Sequence, residues 1–240
     1  MILDGSNSYV GGAVLIGPRH LLTAAHKVAP YVSQLDARNL WASPRRLKVR
    51  LGEWNTQSTA EPYPFVECDI ARVVVHPRHN PTDLRNDVAV ITLKAAVPAG
   101  RFPHIRAACL PAPHQDFTNQ RCWVAGWGKS AFGPAGSYQN TQREVGVPVL
   151  PGSDCERRLR ETRLGPSYRL DRASFLCAGG EPGMDACTGD GGSPLVCESR
   201  GHFTLAGLVS WGIGCAESGV PGVYVNVPGY RDWIDQQTKG

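Results

Sequence analysis

The sequence predicts an all-β protein built from antiparallel barrels, with one clear helix at its C-terminal end. Short apolar, β-branched runs recur along the chain, and turn-rich segments separate them. Glycine (27) and proline (19) are frequent and are spread along the 240 residues. With 42% hydrophobic residues, a chain of this length can bury a sizeable core, and one domain of two similar halves fits it.

The predicted strands are short runs rich in valine, isoleucine, leucine and alanine. They cover residues 13–16, 47–51, 71–75, 87–91, 122–126, 194–197, 205–209 and 222–225. Their number and their separation by turns favour antiparallel barrels.

Helical periodicity is clear only in the tail. In residues 230–237, Tyr230, Trp233 and Ile234 share one face at i, i+3 and i+4. A shorter helix is predicted for residues 152–159, with Ser153 as its N-cap.

Eight cysteines predict disulfides and a secreted protein. The closest cysteine pairs lie ten residues apart, which is not the spacing of a zinc site. No apolar run reaches the roughly 18 residues of a membrane-spanning helix. Residues 1–5 do not read as a signal peptide, so we expect a longer secreted precursor. The net charge of +4 is mild, and no Lys/Arg run is long enough to indicate nucleic-acid binding.

Four segments carry the functional signal, in the order 22–26 (LTAAH), 86–90 (NDVAV), 187–195 (CTGDGGSPL) and 210–212 (SWG). With 126–128 (GWG) and 221–224 (PGVY), they make the chain resemble the chymotrypsin/trypsin family of serine proteases over nearly its whole length. The resemblance implies two packed six-stranded antiparallel β-barrels with the active site in the cleft between them. It also implies one trypsin-like domain over residues 1–240, in which the activation segment and any clip domain are absent.

Peptide cleavage by this family needs a nucleophilic hydroxyl, an imidazole base and a carboxylate that orients the imidazole. By resemblance, His26 matches the base and Asp87 the carboxylate. The family pattern Gly-Asp-Ser-Gly-Gly-Pro reads GDGGSP over residues 189–194, so Gly191 stands in the serine position. Loss of such a nucleophile costs about a millionfold in turnover. We therefore expect a pseudoenzyme in which the other two residues are remnants.

Ser193 lies two residues beyond the nucleophile position. The segment 187–194 has the length that the family pattern requires, so no shift of register brings this serine into place. Because a disulfide and a strand fix the flanking backbone, we expect its side chain not to face the histidine. A residual hydrolase that uses Ser193 or water remains the alternative.

The resemblance also implies remnants of the substrate site. The amide groups of Gly189 and Gly191 correspond to an oxyanion hole. The specificity-pocket remnant comprises Asp185 as its floor with Ser210, Trp211, Gly212 and Gly222. Two readings of the pocket stay open, a vestigial cavity and a site that still binds a Lys or Arg side chain.

Three disulfides are implied by the resemblance: Cys122–Cys197, Cys155–Cys177 and Cys187–Cys215. Cys68 and Cys109 remain, and the sequence does not decide their pairing. A further bridge of the family is missing, because its positions hold Lys27 and Gly11; such a bridge typically contributes about 2–4 kcal/mol. We expect Asp190 to lack the N-terminal amine that it meets in active members. We expect it to be hydrogen-bonded elsewhere, exposed, or paired with residues outside this sequence.

Residues 53–61 resemble the calcium loop of the family, and Glu53, Asn55 and Glu61 offer oxygen ligands. The spacing is not fully kept, because Ala60 and Tyr63 occupy two carboxylate positions. No other cofactor is expected.

A narrower resemblance, to arthropod clip-domain serine protease homologues, lies in residues 50–56, 162–165, 177–180 and 189–197. These homologues include non-catalytic prophenoloxidase-activating factors and masquerade-like proteins. The resemblance implies a secreted haemolymph cofactor of innate immunity. Its partners would be prophenoloxidase and an upstream clip-domain protease in melanisation, and self-association stays open. A pattern-recognition or adhesion protein on the same scaffold is the other alternative.

Overall fold

The N-terminal half folds into an eight-stranded antiparallel sheet, and the C-terminal half into a closed six-stranded barrel. The computed structural model describes residues 1–32, 41–42, 47–98, 100–130, 136–199, 201–215 and 217–239, with only the backbone described for 41–42. The first sheet has the strand order β2-β1-β6-β7-β8-β4-β3, with β5 beside β7. Its strands are β1 (Ile2–Asp4), β2 (Tyr9–Gly11), β3 (Val14–Leu15), β4 (His20–Thr23), β5 (Trp41–Ala42), β6 (Leu47–Leu51), β7 (Val66–Val75) and β8 (Ala89–Leu93).

The closed barrel has the cyclic order β10-β11-β14-β13-β12-β9. Its strands are β9 (Arg121–Gly126), β10 (Arg143–Leu150), β11 (Phe175–Gly179), β12 (Pro194–Ser199), β13 (His202–Trp211) and β14 (Pro221–Asn226). The C-terminal half thus has the six strands that were expected. The N-terminal sheet forms a half-barrel of eight strands, and its path does not close among the described residues. The expected all-β architecture is confirmed.

Alternating burial explains why these segments become strands. In β6 the leucines and the valine are buried, while Lys48 and Arg50 between them are partly exposed. Separate cores fill the two halves, and a third apolar cluster joins them. In that third cluster Leu22 and Val90 of the first sheet pack with Leu208 and Val225 of the barrel. The two halves are therefore held together directly beside the motif residues.

The described residues also contain three α-helices, α1 (Ala25–Val28), α2 (Gly152–Arg160) and α3 (Arg231–Thr238), and two short 3-10 helices at Ala29–Tyr31 and Val227–Tyr230. The predicted helices at 152–159 and 230–237 correspond to α2 and α3. The predicted N-cap at Ser153 is wrong, because α2 begins at Gly152 and its N-cap is Pro151. Among the described residues, no helix has the length and apolar character needed to cross a membrane.

The structure contains the disulfides Cys122–Cys197, Cys155–Cys177 and Cys187–Cys215. The first joins facing residues of β9 and β12, and the second ties α2 to β11. Cys68 is partly buried in β7 and Cys109 is exposed, and both are free thiols in the described part of the chain.

Candidate functional site

His26 and Asp87 meet between the two halves. His26 lies on α1, immediately after β4, and Asp87 lies just before β8. The Asp87 carboxylate is 0% exposed and lies 2.7 Å from Nδ1 of His26 through Oδ2. The backbone N–H of His26 donates to Oδ1 at 2.8 Å, and the Ser210 hydroxyl donates to Oδ2 at 2.6 Å. This arrangement orients the imidazole as a general base requires.

The local backbone explains how Asp87 reaches this place. Asn86 has a left-handed conformation with φ of 55°, which asparagine tolerates better than most residues. Its side-chain amide donates to the Arg78 carbonyl at 2.9 Å and accepts from the Tyr230 hydroxyl at 3.2 Å. These contacts hold the turn that carries the buried carboxylate.

Gly191 faces the imidazole. A Cβ atom on this residue would lie 2.9 Å from Nε2 and 3.2 Å from Cε1 of His26. The nucleophile position therefore has the geometry that the sequence motif implies. It carries no atom that can attack a carbonyl, so the base has no hydroxyl to deprotonate there.

Lys27 fills the space next to that glycine. Its Cε atom overlaps the position that a Cβ on Gly191 would take. Its Cγ and Cδ atoms lie 2.9 Å and 3.0 Å from the equivalent position on Gly11. The two positions of the missing bridge are thus neighbours, and the lysine side chain runs between them.

The charge of Lys27 has little compensation. Burial lowers the pKa of the ammonium group from its ordinary value, although the carboxylates of Asp87 and Asp190 act in the opposite direction. Within the described part of the chain, the ammonium makes no hydrogen bond or ion pair. The sequence analysis identified Lys27 only as the residue at one position of the missing disulfide. It did not predict that the side chain enters the site.

Asp190 is buried and hydrogen-bonded to backbone groups. Its Oδ1 accepts the N–H of Gly128 at 2.8 Å, and its Oδ2 accepts the N–H of Cys187 at 2.9 Å. Burial raises its pKa, and these two donors and Lys27 counteract the rise. The sequence analysis expected this carboxylate to be hydrogen-bonded elsewhere, exposed, or paired with residues outside this sequence. The structure shows the first of these, because backbone N–H groups replace the N-terminal amine as partners.

A cavity of about 140 Å³, here called the central cavity, opens beside His26 and Lys27. All five residues of the predicted specificity pocket line it, namely Asp185, Ser210, Trp211, Gly212 and Gly222. Ser210 also binds Asp87, so it belongs to both sites.

One end of the central cavity is acidic. Asp185 Oδ1 accepts the N–H of Ala186 at 2.8 Å. A Cβ on Gly222 would lie 3.0 Å from that same oxygen, so glycine keeps the carboxylate accessible from the cavity. Tyr224 belongs to the 221–224 segment but was not predicted to be a pocket residue. It also lines the cavity and is fully buried. Its hydroxyl has no hydrogen-bond partner among the described residues.

Gly189 and Gly191, the predicted oxyanion hole, both line the central cavity. The carbonyl of Gly191 accepts the N–H of Gly12 at 2.9 Å. The amide groups of Gly189 and Gly191 donate no hydrogen bond within the described residues. Two donors thus remain at the cavity for a ligand oxygen.

Ser193 lies outside the central cavity. Its side chain is 1% exposed and lies against Gly12, 3.0 Å from the Cβ position of Gly126. Its own N–H donates to the Asp190 carbonyl at 2.8 Å. The serine therefore does not line the imidazole cavity; it lies at a second cavity, which Gly12 and Trp127 also line.

The residues expected to bind calcium already have hydrogen-bond and ion-pair partners in the protein. Glu53, 5% exposed, forms an ion pair with Arg50 at 2.9 Å and accepts the N–H of Trp54. Glu61 Oε1 accepts the backbone N–H of Asn55 at 2.6 Å. No group of three or more His, Cys, Asp or Glu in the described residues is arranged to hold a metal. The guanidinium supplies the positive charge in this loop.

Comparisons with known proteins show the family to which the chain is similar. The sequence model of the family described as Trypsin matches residues 2–234. The chain is 49% identical to the inactive CLIP domain-containing serine protease A3 of Aedes aegypti, over 98% of this chain and 47% of that protein. It is 43% identical to phenoloxidase-activating factor 2 of Galleria mellonella, over 98% and 73% of the two chains. It is 41% identical to the inactive CLIP domain-containing serine protease A28 of Anopheles gambiae, over 96% of this chain and 56% of that protein. The chain thus spans about half to three quarters of the length of these relatives.

Proposed function

This chain belongs to the trypsin family, and from that membership we propose that it is a protease homologue that acts by binding and not by catalysis. The observation that carries the proposal is Gly191, which faces His26 without a side chain. The base, the orienting acid and the cavity are assembled around a missing nucleophile. Relatives over most of this chain are named inactive serine proteases, which supports the same conclusion.

The cascade role that we propose is that of a cofactor in prophenoloxidase activation and melanisation. Two relatives are named phenoloxidase-activating factors, and this supports the role. We propose that the protein is secreted into the haemolymph, in keeping with its three disulfides. Its proposed partners are prophenoloxidase and an upstream clip-domain protease, with self-association as a further property to be measured.

The first experiment measures turnover of Arg- and Lys-containing peptide substrates by the complete, proteolytically processed protein. We expect no hydrolysis above background, since the nucleophile is absent. The matched control is His26→Ala. Turnover that this substitution abolishes would overturn the proposal.

The second experiment reconstitutes the cascade from purified prophenoloxidase and an activating clip-domain protease. We expect the complete protein to increase phenoloxidase activity, and His26→Ala to increase it equally, because binding needs no base. An equal yield of phenoloxidase with and without the protein would contradict the cofactor role. A parallel pull-down on peptidoglycan and glucan tests the pattern-recognition alternative.

A further inference from the structure

Lys27 brings a primary amine to the position where the nucleophile is missing. Its Cε atom is so close to the position of a Cβ on Gly191 that the two atoms would overlap, and the nitrogen lies one bond further along. The side chain lines the central cavity together with His26. The site has therefore lost a hydroxyl group but holds another nucleophilic group beside the same imidazole.

The surroundings of this amine favour its neutral form, which is the form that reacts with electrophiles. Burial lowers the pKa of Lys27, and this effect outweighs the opposing charges of Asp87 and Asp190. No hydrogen bond or ion pair with the described residues holds the group as an ammonium ion. A desolvated lysine of this kind is an activated nucleophile.

His26 supplies proton transfer next to the amine. Its Nδ1 lies 2.7 Å from Oδ2 of the buried Asp87, and this contact directs Nε2 towards Gly191. Within the described part of the chain, Nε2 makes no hydrogen bond, so it is available to accept a proton and to return it. An imidazole held in this orientation serves as a general base and then as a general acid.

An aldehyde is the electrophile that this pair of groups suits. His26 first takes a proton from the ammonium of Lys27, and the neutral amine then forms a C–N bond to the carbonyl carbon. The imidazolium next protonates the hydroxyl of the carbinolamine, and the C–O bond breaks to release water. One ammonium and one aldehyde thus give one protonated imine and one water, without an oxidant or a reductant.

The central cavity has room for the remainder of such a molecule. Its volume is about 140 Å³. Cavities of about this volume in other proteins admit benzene. An aldehyde of a few carbon atoms can therefore lie in the cavity with its carbonyl carbon next to Lys27.

We propose that Lys27 is a reactive amine that binds small aldehydes covalently as an imine in the central cavity, with His26 transferring the proton. One protein molecule binds one aldehyde, and hydrolysis of the imine releases it again. This activity goes beyond the binding of protein partners proposed above. It does not depend on the cascade role, because it rests on the amine, the imidazole and the cavity alone.

Reductive trapping tests the proposal. The complete protein is incubated with propanal and sodium cyanoborohydride at neutral pH, so that each imine is reduced to a stable propyl amine. Peptide mapping by mass spectrometry then gives the rate of propylation of each lysine. Lys27 should react at least about tenfold faster than Lys48, because lowering the pKa of an amine by one unit raises its neutral fraction about tenfold. Lys48 is the internal reference, since it pairs with Glu67 at 2.7 Å on the surface.

Three variants identify the groups that react. Lys27→Met removes the amine with little change of shape, and it should abolish the fast propylation and leave that of Lys48 unchanged. His26→Gln should slow propylation of Lys27 at least about tenfold, since general acid–base catalysis contributes about 10²–10⁴-fold. Lys94→Met removes a surface lysine that pairs with Asp69 at 3.2 Å, and it should change neither rate.

Acetic anhydride is the matched reagent for the role of the imidazole. It acylates a neutral amine without the loss of water, so His26→Gln should leave the acetylation rate of Lys27 unchanged while it slows propylation. A histidine that only shapes the site would affect both reactions alike. Urea unfolding of each variant confirms that it is folded.

Propylation of Lys27 that is no faster than that of Lys48 in the native protein overturns the proposal. Fast propylation that persists in Lys27→Met places the reactive amine elsewhere and overturns the assignment. Propylation and acetylation that fall equally in His26→Gln overturn the proton-transfer role. The peptide turnover assay above is independent of these results, because imine formation cleaves no peptide.

Discussion

The Cε atom of Lys27 lies so close to the position of a Cβ on Gly191 that the two atoms would overlap. The glycine at position 191 and the lysine at position 27 are therefore sterically coupled. A serine at position 191 would have to displace the end of the lysine side chain. It would also have to move the imidazole by a few tenths of an ångström from the present 2.9 Å approach of Nε2.

The first prediction follows from this overlap. Gly191→Ser alone should react with a serine-directed phosphonate at least about tenfold more slowly than Gly191→Ser combined with Lys27→Ala. The reason is that small misplacement of a catalytic group costs one to two orders of magnitude in rate. Labelling rates measured on complete, processed protein check it. Gly191→Ser with Lys48→Ala is the control and should label like the single variant. Equal rates in the single and double variants, including no reaction in either, would contradict the prediction.

The second prediction concerns Ser193. The native protein should not be labelled by the same phosphonate, because this serine is 1% exposed and does not line the central cavity. Intact-mass analysis after long incubation measures the adduct. Active trypsin under the same conditions is the positive control. An adduct that Ser193→Ala removes would revive the hydrolase alternative.

The third prediction concerns the loop that resembles a calcium site. A chelator should leave the free energy of unfolding unchanged, since Glu53 is engaged by Arg50 at 2.9 Å. Arg50→Met should lower the free energy of unfolding by about 2–4 kcal/mol, because it leaves a buried carboxylate without its partner. Lys48→Met, which removes a more exposed pair with Glu67, should cost less than about 1 kcal/mol. Urea unfolding with and without calcium measures both effects. Destabilisation by the chelator would show that the loop does hold the ion.

The limits of the sequence prediction are clearest in the strands. The run 47–51 was predicted correctly because its leucines and valine alternate with charged residues. Strand β10 (Arg143–Leu150) was not predicted, because it contains Gly146 and Pro148, which are unfavourable within a strand. Its pairing with β9 and β11 is decided by tertiary contacts.

The candidate site also combines residues that the sequence predicted with a residue that it did not. Spaced motifs predicted that His26, Asp87 and Gly191 would meet, because their family resemblance includes their geometry. No motif indicated that Lys27 enters the site, because its position depends on Gly11, which is distant in sequence and adjacent in space. The sequence likewise did not show the pairing of Arg50 with Glu53, and calcium binding by this loop stays a prediction that the chelator experiment tests.

The last prediction concerns His76, which is 5% exposed and lies between the rings of Tyr230 and Trp233 at centroid distances of 5.3 Å and 4.9 Å. Its Nδ1 accepts the N–H of Arg78 at 3.3 Å, which requires the neutral ring. Burial first, and then the charges of Arg78 and His79, lower its pKa from 6.5 to about 4.

The sign of the resulting pH dependence follows from proton binding. Between pH 6.5 and pH 4 the unfolded chain binds a proton at His76 that the folded chain does not. This contribution to stability is therefore complete above pH 6.5 and is lost as the pH falls towards 4. Lowering the pH from 7.5 to 5 should cost the native protein about 1–2 kcal/mol more than it costs His76→Phe, after allowance for solvent screening. Urea unfolding at the two pH values measures this difference. His202→Phe, at an exposed position of β13, is the matched control and should keep the native pH dependence. An identical pH dependence of the native protein and His76→Phe would show that the ring titrates alike in the folded and unfolded chains.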